Sequence, residues 1–198
     1  TVRFILTGDL PEFASQKGRG GYAKLATVAF KEKTGEKFSF LIHAGDAYSP
    51  SLLSGLDKGK SSVEMLNAIG VDYMVLGNHE WDFGPEIIRK RIWESNFPIL
   101  ASNVIDKDGL PLDGTIRTTM LKVGPFRIGI MGLVTPNTKE VSSPESDKFM
   151  PIMETAKDLY KELKGQGADL IVALAHTDFV EDMEILQSGL VDVLLSGH

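Results

Sequence analysis

Short apolar runs alternate with helical patterns along the whole chain. The runs are VRFIL (2–6), FSFLIHA (38–44), DYMVLG (72–77), FPILAS (97–102), FRIGIMGL (126–133), ADLIVALA (168–175) and VDVLLS (191–196). Most are apolar at successive positions, the pattern of strands covered on both faces. Between them, GYAKLATVAFKEKTG starts at Gly21 and stops at Gly35. Ser61-Ser62-Val63-Glu64 has the form of a capping box ahead of MLNAI, with Gly70 as the stop. Pro85 opens PEIIRKRIWESN at a first-turn position, METAKDLYKELKG ends at Gly165, and VEDMEILQSG ends at Gly189. Strand–helix alternation of this kind predicts an α/β fold whose helical layers cover the sheet. The stretch from Pro136 to Met150 is rich in Ser, Pro and charge and is predicted to be a long surface loop. No linker or repeat divides the chain, so one domain over residues 1–198 is expected.

Polar residues fall where these runs stop. Asp9 follows VRFIL, Asp46 follows SFLIHAG, and Asn78-His79 follow YMVLG; His176 follows LIVALA and His198 follows VDVLLSG. In open α/β sheets, sites form beyond the carboxyl ends of the strands, where neighbouring loops converge. Each residue alone has a plainer reading: an Asp after a strand is commonly a turn or cap, and a His there a polar loop residue. Together they deliver an oxygen or imidazole donor from five strand ends. Gly-Asp and Gly-Asn pairs recur among these sites, and glycine there lets the backbone bend sharply. His43 lies inside its strand and is read as a core residue, or as one standing behind the ligands rather than among them.

Composition narrows the chemistry. With 42% hydrophobic and 24% charged residues, 198 residues suffice for one globular core. The net charge of −6 and the absence of long Lys/Arg blocks give no reason to expect a nucleic-acid polymer as partner. A phosphate-bearing substrate would need its positive charge from metal ions or a few placed cations. No apolar stretch reaches the roughly 20 residues of a membrane span. The first residues are strand-like rather than a signal peptide, and the missing initiator Met fits a processed or trimmed chain. With no cysteine, any metal is held by His, Asp, Glu or Asn.

GDAYSPS (45–51), VLGNHEWDFG (75–84), ALAHTD (173–178) and SGH (196–198) resemble the signature of the calcineurin-like metallophosphoesterases. GGYAKLATV (20–28), LASNV (100–104) and IGIMGLVTPNT (128–138) are similar to further blocks of the catalytic, N-terminal domain of 5′-nucleotidases. The resemblance spans essentially the whole chain, and GNHEWD is its most specific piece. It implies a four-layer αββα sandwich with two divalent metals (Mn, Zn, Fe or Mg) at the strand ends. Asp46 would bridge them, Asn78, His176 and His198 would complete one set, and Asp9 would bind the other. His79 would meet the phosphoryl group, with Asp82 orienting its ring; the plainer reading of Asp82 is a cap for the helix entered at Pro85. Hydrolysis of nucleotides or other small phosphate esters by a metal-activated hydroxide is implied, assisted by His79 and Asp82. Export to the periplasm or cell surface is common among such proteins.

Two departures concern one metal. The family opens with Asp-x-His, and here Pro11 stands at the third position, without a side-chain donor. Glu12 is the neighbouring carboxylate that offers itself as a substitute ligand. The family's Gly-His-x-His is also cut at His198, which is expected if the chain is a fragment truncated at that end. The family's C-terminal nucleotide-gripping domain is then missing too. A degenerate, non-catalytic binding module and a hydrolase of another ester, such as a sugar nucleotide or sulfur group, stand as alternatives.

Overall fold

The computed structural model of the chain describes every residue except Pro11, Glu12, Gln16 and Arg19. Four parallel strands, β1 (Arg3–Thr7), β2 (Ser39–His43), β3 (Tyr73–Val75) and β4 (Ile99–Leu100), form the first sheet in chain order. A two-residue strand, β5 (Val104–Ile105), follows, and then the second sheet begins with β6 (Thr118–Val123) and β7 (Phe126–Val134), an antiparallel pair. After the short β8 (Lys148–Phe149), which pairs with β5, come β9 (Leu170–His176) and β10 (Val193–Gly197). The second sheet runs β10-β9-β7-β6, parallel apart from β6.

Side-chain alternation stacks the layers. Val172 and Leu174 of β9, with Ile128, Ile130 and Val134 of β7, enter one core with Leu41, Met74 and Leu100 of the first sheet. The intervening Met131, Leu133, Ala173 and Ala175 face the other way, onto Ala156, Leu159 and Leu163 of α6 (Ile152–Gly165) and Ile185 of α7 (Phe179–Gln187). On the first sheet's side, α1 (Tyr22–Lys33), α3 (Lys60–Ile69) and α4 (Gly84–Glu94) supply Tyr22, Ala29, Val63, Leu66, Ile88 and Ile92. The inner strands β2, β7 and β9 are covered on both faces, which is why they carry near-continuous apolar runs. The result is the expected αββα sandwich.

Close approach of the sheets is visible at Gly132. It sits on the inward face of β7, and an added Cβ would collide with the Leu100 Cβ of β4. Strand register brings the polar ends together: Thr7 stands beside His43, while Val134 and Gly197 flank His176. Several strands therefore end at one level.

Two expectations need correction, and further elements went unread. The supposed capping box at Ser61–Glu64 lies inside α3, which begins one residue earlier. The job is done by Asp57, whose carboxylate accepts the N–H of Gly59 (3.0 Å) and Ser61 (2.9 Å). Asp57 ends an unforeseen helix, α2 (Leu52–Asp57), which exposes Leu52 and Leu56 and buries only Ser54, so it has no apolar face to read. The segment 136–150 is not merely a surface loop: it holds α5 (Thr138–Val141) and β8, and buries Asp147. β6 was also missed, its TTMLKV being a half-exposed edge strand without a clean period.

Replacing Gly132 with Ala is expected to lower stability by about 1–3 kcal/mol through overpacking against Leu100. Urea unfolding checks this; an unchanged midpoint would mean that the sheets are not pressed together there.

Candidate metal centre and active site

Glu80 sits in a 3₁₀ turn (Asn78–Trp81) just beyond β3 and is almost wholly buried. Its Oε2 accepts N–H groups from Asp46 (2.8 Å) and Gly77 (2.5 Å), and its Oε1 those of Ala47 (2.7 Å) and Tyr48 (3.1 Å). One carboxylate thus joins the loop after β2 to the loop after β3. Burial, and then the charge of Asp46, push its pKa up to about 7, against the pull of the N–H groups. Gly77 makes the approach sterically feasible, since a Cβ there would fall on the Asp46 carboxylate. Asp46 itself adopts a left-handed conformation, φ 55°, that few residue types tolerate.

The clamped loops point their polar groups at His176. Asp46 Oδ2, Asn78 Oδ1 and His198 Nδ1 each lie 3.1 Å from His176 Nε2. The other ring nitrogen, Nδ1, is 2.6 Å from the Ala44 carbonyl and so carries the hydrogen. Nε2 is then left to face a carboxylate oxygen, an amide oxygen and a second imidazole. Acceptors crowd together in this way only around a proton or a cation. Ligand atoms of Asp46, His176 and His198 all fall within 4.8 Å of one another, a spacing a single ion can span. The donor set, oxygen plus imidazole, suits first-row divalent cations.

Protonation reports the same crowding. Burial pulls His176 down, but the hydrogen bond and charge of Asp46, with the Ala44 carbonyl, push its pKa up to about 9. Burial would raise Asp46, yet the hydrogen bond and charge of His176 hold it below the ordinary carboxylate value. The Asp46 carboxylate and the His176 imidazole thus favour each other's charged forms.

Beside it stands His79. Its backbone N–H donates to Asp46 Oδ1 (2.9 Å), and its Nδ1 lies 2.8 Å from Asp82 Oδ2. The ring is part-exposed, so one face is open to an incoming group. Asp82 does not cap α4: Phe83 occupies the cap position, with no side-chain hydrogen bond there. Asp9, exposed and at φ 49°, donates its N–H to the Gly45 carbonyl and accepts the His198 N–H through Oδ2 (3.2 Å). It is not a member of the converging group. Pro11 and Glu12 lie outside the described residues. His43 is fully buried, and neither ring nitrogen has a hydrogen-bond partner among the described residues; burial holds its pKa near about 4, so it is neutral.

The chain matches, over residues 2–198, the family model described as calcineurin-like phosphoesterase. It belongs to that family. The 5′-nucleotidase of Bos taurus is 35% identical over 187 residues, 90% of this chain and 32% of its own length. A snake venom 5′-nucleotidase of Gloydius brevicauda is 32% identical over 198 residues, covering 96% of this chain and 33% of its own. Among solved structures, the NAD nucleotidase of Haemophilus influenzae superposes with a TM-score of 0.91 at 28% identity, over 100% of this chain and 38% of that one. The chain therefore spans about one third of the length of the curated relatives it matches. Membership in this phosphoesterase family implies divalent metal ions, and the acceptor cluster at His176 fits one.

Two residues escaped the sequence reading. Glu80 was in view inside GNHEWD, and its position three residues after Gly77 was the signal for a side-chain bond back to the Gly77 N–H. Ser142, within the segment read as loop, donates to Asp82 Oδ1 (2.8 Å), and nothing local announces it.

Stability without metal should fall as pH rises. His176 has its pKa raised from 6.5 to about 9 on folding, so its contribution is complete below pH 6.5 and lost through about 9. Glu80, raised from 4.5 to about 7, acts in the same direction at lower pH. The His176 part is on the order of 3 kcal/mol at most. Urea midpoints at pH 6 and 9.5 in chelator check it, and a midpoint that rises with pH would contradict the ion pair. Zn or Mn affinity should increase over the same interval, because the cation must displace the His176 proton.

Proposed function

We propose that the chain is the metal-binding catalytic domain of a hydrolase of nucleotides or related small phosphate esters. The observation that carries this reading is the pairing of the acceptor cluster at His176 with the His79–Asp82 pair at its edge. Asp46, Asn78, His176 and His198 are the residues proposed to hold a divalent ion, with Asp9 beside His198 as a ligand toward a second. When bound, such ions supply positive charge that activates water and draws in phosphoryl oxygens.

The chain's own residues prepare the rest. The Ala44 carbonyl fixes the His176 tautomer so that Nε2 faces the cluster. Asp46 holds two jobs, since its Oδ1 takes the His79 N–H while Oδ2 faces His176. With Nδ1 engaged by Asp82, the His79 ring keeps its other nitrogen for a phosphoryl or leaving-group oxygen, to which it can give a proton. A module kept only for binding would have no use for the His79–Asp82 pair, which favours the enzyme reading over the degenerate one.

The nucleotide preference rests on the relatives, and a domain beyond the matched third of their length is proposed to grip the nucleoside. No helix among the described residues is long and apolar enough to cross a membrane. An extracytoplasmic location is proposed from the resemblance to exported nucleotidases. Pro11 is proposed to weaken the second metal, with Glu12 as its substitute ligand.

In the longest available form of the protein, Mn or Zn should stimulate hydrolysis of a nucleotide or aryl phosphate. His79→Ala should lower turnover by about 10²–10⁴-fold with metal binding retained. Absence of any metal-stimulated hydrolysis in the parent protein would overturn the enzyme reading.

A further inference from the structure

The segment 135–150 hangs from one residue at both ends. Asn103, buried just after β4, accepts the Val134 N–H (2.9 Å) and donates through Nδ2 to the carbonyls of Val134 (2.8 Å) and Met150 (3.1 Å). The Met150 N–H returns to the Asn103 carbonyl (2.7 Å). The middle is pinned as well. Asp147 has a wholly buried side chain that takes two hydrogen bonds from Arg89 (2.7 and 3.2 Å) and one from the Trp81 indole (3.0 Å). Phe149 lies edge-on to Trp81, with ring centroids 5.0 Å apart. A stretch of polar composition is thus fastened at both ends to Asn103, and by Asp147 and Phe149 to α4 and to the turn that carries His79.

Between those fastenings the segment presents one side chain to the site. Ser142 ends α5 and donates its hydroxyl to Asp82 Oδ1 at 2.8 Å, while Asp82 Oδ2 engages His79 Nδ1. Among the described residues each Asp82 oxygen has a single side-chain partner, so the carboxylate is held from both sides. We propose that Ser142 is a positioning residue for the reaction: the anchored segment uses its hydroxyl to lock the Asp82 carboxylate, and thereby the tautomer and tilt of the His79 ring. This deepens the hydrolase reading and rests on it for its effect on rate, although the geometric part stands on the chain alone.

A shape-only role and a positioning role predict different results. Ser142→Ala should reduce kcat about tenfold, the value of one hydrogen bond to a charged group, with KM changed less than about twofold. Ser142→Thr, which keeps the hydroxyl, should restore most of the loss. In an Asp82→Ala background, Ser142→Ala should have no further effect, because the carboxylate through which it acts is gone. Full additivity of the two substitutions, or equal kcat in Ser142→Ala and parent protein, would overturn the proposal. A second readout needs no activity: long-range ¹H–¹⁵N spectra of the imidazoles, with His79 assigned by His79→Gln. The parent chain should show the Nδ1–H tautomer for His79, and Ser142→Ala should shift those signals while leaving His43 in place. A His79 ring unmoved by Ser142→Ala would overturn the proposal even if the protein hydrolysed no ester; moved signals with no activity would support it and place the failure in the hydrolase reading.

Discussion

A carboxylate that takes four backbone N–H groups from two separate loops stands at the centre of this site. Glu80 offers its oxygens to Asp46, Ala47 and Tyr48 on one side and to Gly77 on the other. Removing it would strand four buried donors, each costing about 1–3 kcal/mol, in a place that water does not reach. Its hold has a directional consequence. The loop after β2 is fixed with Asp46 facing His176, and the turn after β3 is fixed with Asn78 and His79 on the same side. The positions of three side chains of the proposed site thus follow from one buried behind them.

The sheets supply the level surface on which this clamp works. Parallel strands β1, β2 and β3 bring their carboxyl ends to one edge of the first sheet, and β9 and β10 do the same in the second. The two edges meet because the sheets face each other closely enough that Gly132 has no room for a side chain. Ala44 after β2 can then reach across to His176 at the end of β9 and set its tautomer. Packing energy, spent far from the chemistry, places the lone pairs that call for a cation.

Much of this was legible in the residues themselves, and the missing parts share a cause. Apolar runs ending in Asp, Asn or His marked the strand exits at 9, 46, 78, 176 and 198, because burial on both faces leaves a strong signal and a sudden polar residue stands out against it. Register left no such mark, so the runs alone did not say that Asp46, Asn78, His176 and His198 would converge while Asp9 would settle against the His198 backbone. The segment 136–150 looked solvated because its anchors are distant in sequence: Asp147 is held by Arg89 and Trp81, and Ser142 by Asp82. At Ser61 the local pattern misled, since the Asp57 carboxylate upstream takes the Ser61 N–H and serves the start of α3 instead. Long-range polar pairs of this kind have no period for a sequence pattern to show.

The central claim is that the acceptors around His176 are arranged for a divalent ion. Anomalous X-ray scattering from crystals of the chain grown with Mn or Zn tests it most directly. The account requires a peak bonded to Asp46 Oδ2, Asn78 Oδ1, His176 Nε2 and His198 Nδ1, with His176 Nδ1 still on the Ala44 carbonyl. A metal-loaded crystal with no ion there, and His176 still paired directly with Asp46, would contradict it.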